Sequence, residues 1–149
     1  MSRATTTSRK PGPLVRQATA VDREGLFDLV QRFAASKPDR DAFDLALGNL
    51  LSDPSTWLAV AECDRSLAGY CLGYDHYTLT AGGRVAWVEE IMVKSVWRRK
   101  GVGRDLLTAF EAWARGRGSK VAVVATREAW PFFEAMNYEE RAFLLQKPL

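Results

Sequence analysis

The chain has 149 residues, 47% of them hydrophobic and 26% charged, a composition that builds one globular domain with a substantial core. Its net charge of +3 resides in residues 1–13, where Arg3, Arg9 and Lys10 have no acid among them, so residues 14–149 are balanced. That balance argues against a nucleic-acid-binding face, no apolar run reaches the ~18–20 residues of a membrane span, and a single histidine argues against a Cys/His metal site.

Residues 1–13 are polar and read as a disordered extension, with the domain occupying 14–149. A first strand is predicted over 14–20. Asp22 is placed to cap a helix with the stripe Leu26, Leu29, Val30 and Phe33. Residues 36–39 break it, and Phe43, Ala46, Leu47, Leu50 and Leu51 form a second stripe that stops at 52–54. Strands follow over 56–63 and 67–77, and a glycine-rich hairpin signal at 81–84 leads into a strand over 85–93. The next helix carries Leu106, Leu107, Phe110, Trp113 and Ala114 on one face and ends at Arg115-Gly116-Arg117-Gly118. A buried strand over 120–125, a short helix over 130–136 and a terminal strand or strand pair over 138–147 complete the chain.

The order β-α-α-β-β-β-α-β-α-β predicts an α/β (α+β) fold. Three consecutive strands pair antiparallel, and the β-α-β of 85–125 is long enough for a parallel crossover. The result is a mixed, mostly antiparallel sheet with helices on both faces. Cys63 and Cys71 sit in strand-like runs and read as free thiols in a reducing compartment, which places the chain in the cytoplasm. The oligomeric state is open at this stage, a homodimer included.

The most informative stretch is Arg98-Arg99-Lys100-Gly101-Val102-Gly103, between a strand and a helix. Backbone N–H groups at a helix start have no intrahelical partner, and the dipole places about half a positive charge there. Glycine removes the Cβ that would keep a phosphate away from those N–H groups. With Arg104, four cations flank the turn. The second glycine is not followed by Lys-Ser/Thr, which excludes a nucleoside-triphosphatase loop.

Arg98, Gly101 and Gly103 in this context resemble the phosphate motif Arg/Gln-x-x-Gly-x-Gly/Ala of the GNAT superfamily of N-acetyltransferases, which use acetyl-CoA. Glu89-Glu90-Ile91-Met92-Val93 precedes it at the family's spacing, and Ala129-x-x-Phe132-Phe133-x-x-x-Asn137-Tyr138 is similar to the family's Ala-x-x-Phe-Tyr-x-x-x-Gly-Phe. The likeness is specific over 85–140. It implies a GNAT-type fold with acetyl-CoA as co-substrate and no metal. The turn of Arg98, Arg99, Lys100, Gly101, Val102, Gly103 and Arg104 would take the phosphates. The strand at Ile91, Met92 and Val93 would splay from 120–126 and bond the pantetheine arm.

An acetyl acceptor must be unprotonated, and an alkylamine with a pKa of about 10.4 is only about 0.04% neutral at pH 7, so a base is expected. Glu89 and Glu90 are the candidates. Strand alternation sends them to opposite faces unless a bulge intervenes. Glu89 shares parity with Val93 and stands where similar family members place an active-site acid, so it is expected to be the base or a cation anchor. The pair points to a cationic amine, on a small molecule or a peptide.

Phe133 stands where the family often has a tyrosine able to protonate the leaving thiolate. It reads as packing on the pantetheine or the core, with Tyr138 and Tyr74 as substitute acids. A CoA-binding regulatory module without turnover is the alternative reading.

Overall fold

A computed structural model describes residues 12–149, so the expected disorder of 1–13 falls almost wholly outside the described residues. The elements are β1 (Leu14–Gln17), α1 (Arg23–Phe33), α2 (Arg40–Ser52), β2 (Thr56–Cys63), β3 (Ser66–Thr78), β4 (Gly83–Val93), α3 (Val102–Gly116), β5 (Ser119–Val124) and α4 (Trp130–Ala135). The strands form one sheet in chain order, antiparallel from β1 to β4 and parallel between β4 and β5. This is the mixed sheet with a crossover that the element order implies.

Each sheet face carries its own core. Leu106, Leu107 and Phe110 of α3 are fully buried against Ala59, Cys71 and Val88. On the other face, Leu26 and Leu29 of α1 and Phe43 and Leu47 of α2 cover Leu58, Val60, Tyr70 and Leu72. Asp39 caps α2 by accepting from the Ala42 N–H at 2.8 Å. Gly73 lacks the Cβ that would lie 2.2 Å from the Phe110 ring, so α3 packs directly onto β3 at that point.

Three expected elements differ. The strand over 120–125 is not buried, because β5 is the edge of the sheet and Val121 is 53% exposed. The first strand is shorter than 14–20, because the Asp22 carboxylate accepts from the Thr19 N–H at 2.8 Å and from the Arg16 guanidinium at 2.8 and 2.9 Å. These bonds curl 19–22 into a 3-10 turn, and Asp22 makes no side-chain cap on α1. The Arg16 bond holds the Asp22 carboxyl below its usual range.

The terminal strand over 138–147 does not form. Tyr138 is tied to α3 through a 3.1 Å bond from its hydroxyl to Glu111, and beyond it Phe143 and Leu145 are about nine-tenths exposed. A strand needs a ladder partner as well as β-forming side chains, and among the described residues none pairs with this segment.

Candidate active site

β4 and β5 pair from Arg84↔Ser119 to Val88↔Val124 and no further. Residues 89–93 therefore keep β3 on one edge and have no strand on the other. A cleft of about 590 Å3 opens there, bounded by Ile91 and Val93, by the 97–104 turn, and by Phe132 of α4 and Met136 at its end. Its size lies within the ~300–1,000 Å3 of small-molecule and cofactor sites.

The turn is built for anions. α3 starts at Val102, and its first bond runs from the Asp105 N–H to the Gly101 carbonyl at 3.0 Å. The N–H groups of Val102, Gly103 and Arg104 are thus left without an intrahelical acceptor. Gly101 has φ +84° and Arg99 φ +60°, so the turn is tightly left-handed. A Cβ on Gly103 would stand 3.4 Å from the Phe132 ring, inside the cleft. The Arg98 Nε donates to the Val93 carbonyl at 3.2 Å, which ties the turn to the splayed end of β4. The Lys100 ammonium lies over the Trp97 ring, 5.1 Å from its centre.

Gly101→Ala carries a direct expectation. A side chain held at φ +84° costs about 1–2 kcal/mol. Relaxing that strain moves the turn out of register with α3. The affinity for acetyl-CoA is expected to fall roughly tenfold by calorimetry. A dissociation constant within twofold of the parent would contradict this role for the turn.

The acidic pair sits at a β-bulge. In the β3–β4 register Leu72 faces Glu90 and Gly73 faces Val88, so Glu89 is the extra residue on β4. The bulge breaks the parity that linked Glu89 to Val93. Glu90 joins the α1/α2 side, where its carboxylate accepts from the Tyr70 hydroxyl at 3.3 Å. Glu89 acts electrostatically on both Glu90 and Tyr74, and Tyr74 shares strand parity with Leu72 and Tyr70 of that face. Glu90 thus faces α1 and α2, with the Glu89 charge close enough to act on it, at the point where β4 leaves β5.

Partial desolvation beside Tyr70 and Leu72 pushes the Glu90 carboxyl above its usual range, although the residue as a whole is exposed. The Tyr70 bond opposes that shift and the Glu89 charge adds to it. Burial also drives the Tyr70 hydroxyl far up, so it stays protonated as a donor.

Of the sequence-predicted residues, Ile91, Val93, Arg98, Arg99, Gly101, Val102, Gly103 and Arg104 line the cleft. Met92 packs on the opposite face, toward α1 and α2. Phe133 is 1% exposed in the α3-side core and does not line the cleft, whereas Phe132 does. A six-residue helix can turn only one of two adjacent phenylalanines outward, and the motif alone did not say which. The Tyr138 hydroxyl is engaged with Glu111 on α3, and burial raises its pKa. Tyr74 stacks with His76, ring centres 5.8 Å apart. Trp97, Ala129, Ala135 and Met136 were not singled out as cleft residues, although Ala129 opens the quoted motif. Among the described residues no group of three or more His, Cys, Asp or Glu side chains is gathered as a metal site. No described helix is long and apolar enough to cross a membrane.

The profile of the acetyltransferase (GNAT) family matches residues 23–138. The chain belongs to the GNAT family of acetyltransferases. An aminoglycoside N(6')-acetyltransferase type 1 from Stenotrophomonas maltophilia is 30% identical over 148 residues, covering 92% of this chain and 94% of the relative. Two solved structures share the fold. A transcriptional regulator from Bacillus halodurans superimposes with a TM-score of 0.85 at 21% identity, over 92% of this chain and 99% of that one. The aminoglycoside N-acetyltransferase AAC(6')-Iy in complex with CoA superimposes with a TM-score of 0.83 at 20% identity, over 96% of this chain and 99% of that one. This GNAT protein is accordingly an acetyl-CoA-dependent N-acetyltransferase. The five-stranded open sheet is the fold of these neighbours.

Proposed function

We propose that this GNAT enzyme transfers acetyl directly from acetyl-CoA to the primary amine of a cationic acceptor, with Glu90 as base and Glu89 as cation anchor. One observation carries the reading. The bulge sets two carboxylates next to each other where β4 leaves β5, and the same strand runs on through Ile91 and Val93 into a cleft bounded by a basic helix start. The helix N–H groups of 102–104 and Arg98, Arg99 and Arg104 receive the CoA phosphates. Ile91 and Val93 offer backbone to the pantetheine arm where β5 has departed.

Glu90 suits the proton-accepting role better than the parity argument allowed. A carboxyl raised by partial desolvation is closer in pKa to working pH, and so is a stronger base. Glu89 lies beside it to hold the ammonium form before the proton is lost. The tyrosine considered as acid at 138 is committed to Glu111, so the thiolate leaves without it. Thiols near pKa 8.5 make that tolerable.

The relative's name makes aminoglycosides the first acceptors to try. The two free thiols, Cys63 and Cys71, fit a reducing cytoplasm. The test is CoA-thiol release with acetyl-CoA and a panel of amines: aminoglycosides, polyamines, alkylamines and lysine peptides. Amine-dependent release supports the reading. Stabilisation by acetyl-CoA with no release for any amine class would instead make the protein a CoA-binding module.

A further inference from the structure

A second concavity lies between α1, α2 and the sheet, and its chemistry differs from that of the basic cleft. It holds about 180 Å3. Leu26, Val30, Phe43, Leu47, Leu50 and Leu72 form its walls. Among its lining residues the ionisable groups are the Glu90 carboxyl and the Tyr70 hydroxyl, joined by their 3.3 Å bond. On α2 the wall is completed by Ala42 and Ala46, four residues apart on one helical face and each open to the surroundings. Small side chains at these two positions are what leaves the space.

An apolar cavity of about 150 Å3 is known to stay dry and to accept benzene. This one therefore has room for a single ring or a branched chain of comparable size. The carboxylate at its edge fixes how an occupant would lie. A cationic amine goes to Glu90 and Glu89, and whatever is bonded to that amine is directed along leucine and phenylalanine. Hydroxyls pressed there would lose water without gaining a partner. A polyhydroxylated polycation would also meet a single carboxylate among the residues that line the cavity.

We infer that this cavity takes an apolar arm of the acyl acceptor, so that the favoured substrates are arylalkylamines or branched alkylamines rather than polyhydroxylated polyamines. The inference rests on the reading that Glu90 receives the amine. Charge complementarity at the cavity edge and apolar walls behind it define one class of occupant, an amine with a ring-sized hydrophobic group.

The test measures CoA release by the full chain with methylamine, propylamine, isoamylamine, phenethylamine and the aminoglycoside kanamycin. The expected kcat/KM rises about fourfold for each methylene the cavity takes up, until the ring-sized arms fill it. Ala46→Leu narrows the cavity from a surface-accessible helix position with a good helix former. It is expected to lower the phenethylamine-to-methylamine ratio of kcat/KM at least tenfold, with the thermal shift by acetyl-CoA retained as the control for folding. An unchanged ratio in Ala46→Leu overturns the inference, as does a higher kcat/KM for kanamycin than for phenethylamine. In both cases amine acetylation itself stands. No release with any of the five amines would overturn the inference, and release with a polyamine or a lysine peptide would then show that acetyl transfer itself stands.

Discussion

Glu90→Gln is expected to lower turnover about 100- to 10,000-fold, the range that a positioned general base contributes, while leaving acetyl-CoA binding intact. The amide keeps the side-chain shape and can still accept from the Tyr70 hydroxyl that now donates at 3.3 Å. What it loses is the ability to take a proton. The pH profile separates this from a structural effect. Partial desolvation sets the Glu90 carboxyl above its usual range, so kcat/KM in the parent climbs as pH rises through that raised value and Glu90 ionises. In Glu90→Gln this acidic limb disappears.

Stability moves the other way. A carboxyl whose pKa is higher in the folded chain than in the unfolded one favours folding while it is protonated. That advantage is lost as pH rises through the unfolded value toward the folded one, because the unfolded chain releases its proton first. At neutral pH the ionised Glu90 thus contributes nothing to the fold, and because the residue is exposed solvent screens most of the opposing effect, so Glu90→Gln is expected to melt at or slightly above the parent temperature. A less active variant that is no less stable is the signature of a group kept for chemistry. Unimpaired turnover in Glu90→Gln would return the base assignment to Glu89, whose own Gln variant then becomes the decisive measurement.

Asp75→Ala is expected to give the largest loss of stability among the substitutions considered. The Asp75 side chain is fully buried on β3 and receives the Arg84 guanidinium at 2.8 Å from β4. Arg117, at the end of α3, reaches it through Nε and, at 3.0 Å, through Nη2. One carboxylate thus ties the hairpin end of the sheet to the C-terminus of the crossover helix. Removing one partner from a buried ionic cluster costs about 3–5 kcal/mol, because the remaining charges keep their desolvation and lose their compensation. The two arginines are about one-quarter exposed and can recover some water, which places the expected cost near the lower end.

For a domain of this length about 3 kcal/mol lowers Tm by roughly 6–12 °C. The cluster sits at the end of β4 away from the bulge, since Arg84 and Glu90 are six residues or roughly 20 Å apart along an extended strand. Activity measured well below the new Tm should therefore change little. A Tm within 2 °C of the parent would show that the cluster is energetically idle. A large drop in kcat at low temperature would show that it couples to the site.

What was legible in the sequence was local. The turn from Arg98 to Gly103 announces itself because the residues that shape it, free its N–H groups and charge it are contiguous. The helices around it were also readable, since Leu106, Leu107 and Phe110 repeat with the period of one helix face. Asn137 fits the same logic. It takes φ +66° where the family motif has glycine, and asparagine is the residue that best tolerates that geometry after a helix. Element order and crossover length then fixed the mixed sheet.

The tertiary structure decided what depends on two segments at once. A bulge is a mismatch in residue count between paired strands, so nothing within 85–93 reveals that Glu89 is the extra residue. That mismatch moved the proposed base from Glu89 to Glu90. The same holds for which of Phe132 and Phe133 faces the cleft, and for the terminal strand, whose β-forming side chains found no ladder. The cavity under α1 and α2 brings together two alanines of one helix and a carboxylate on a distant strand. Sequence by itself determined the proposed cofactor end of this enzyme, because phosphate recognition is written in six consecutive residues. The proposed acceptor end was decided by packing, because the groups that shape it come from α1, α2 and strands of the sheet and meet only when the sheet closes against the helices.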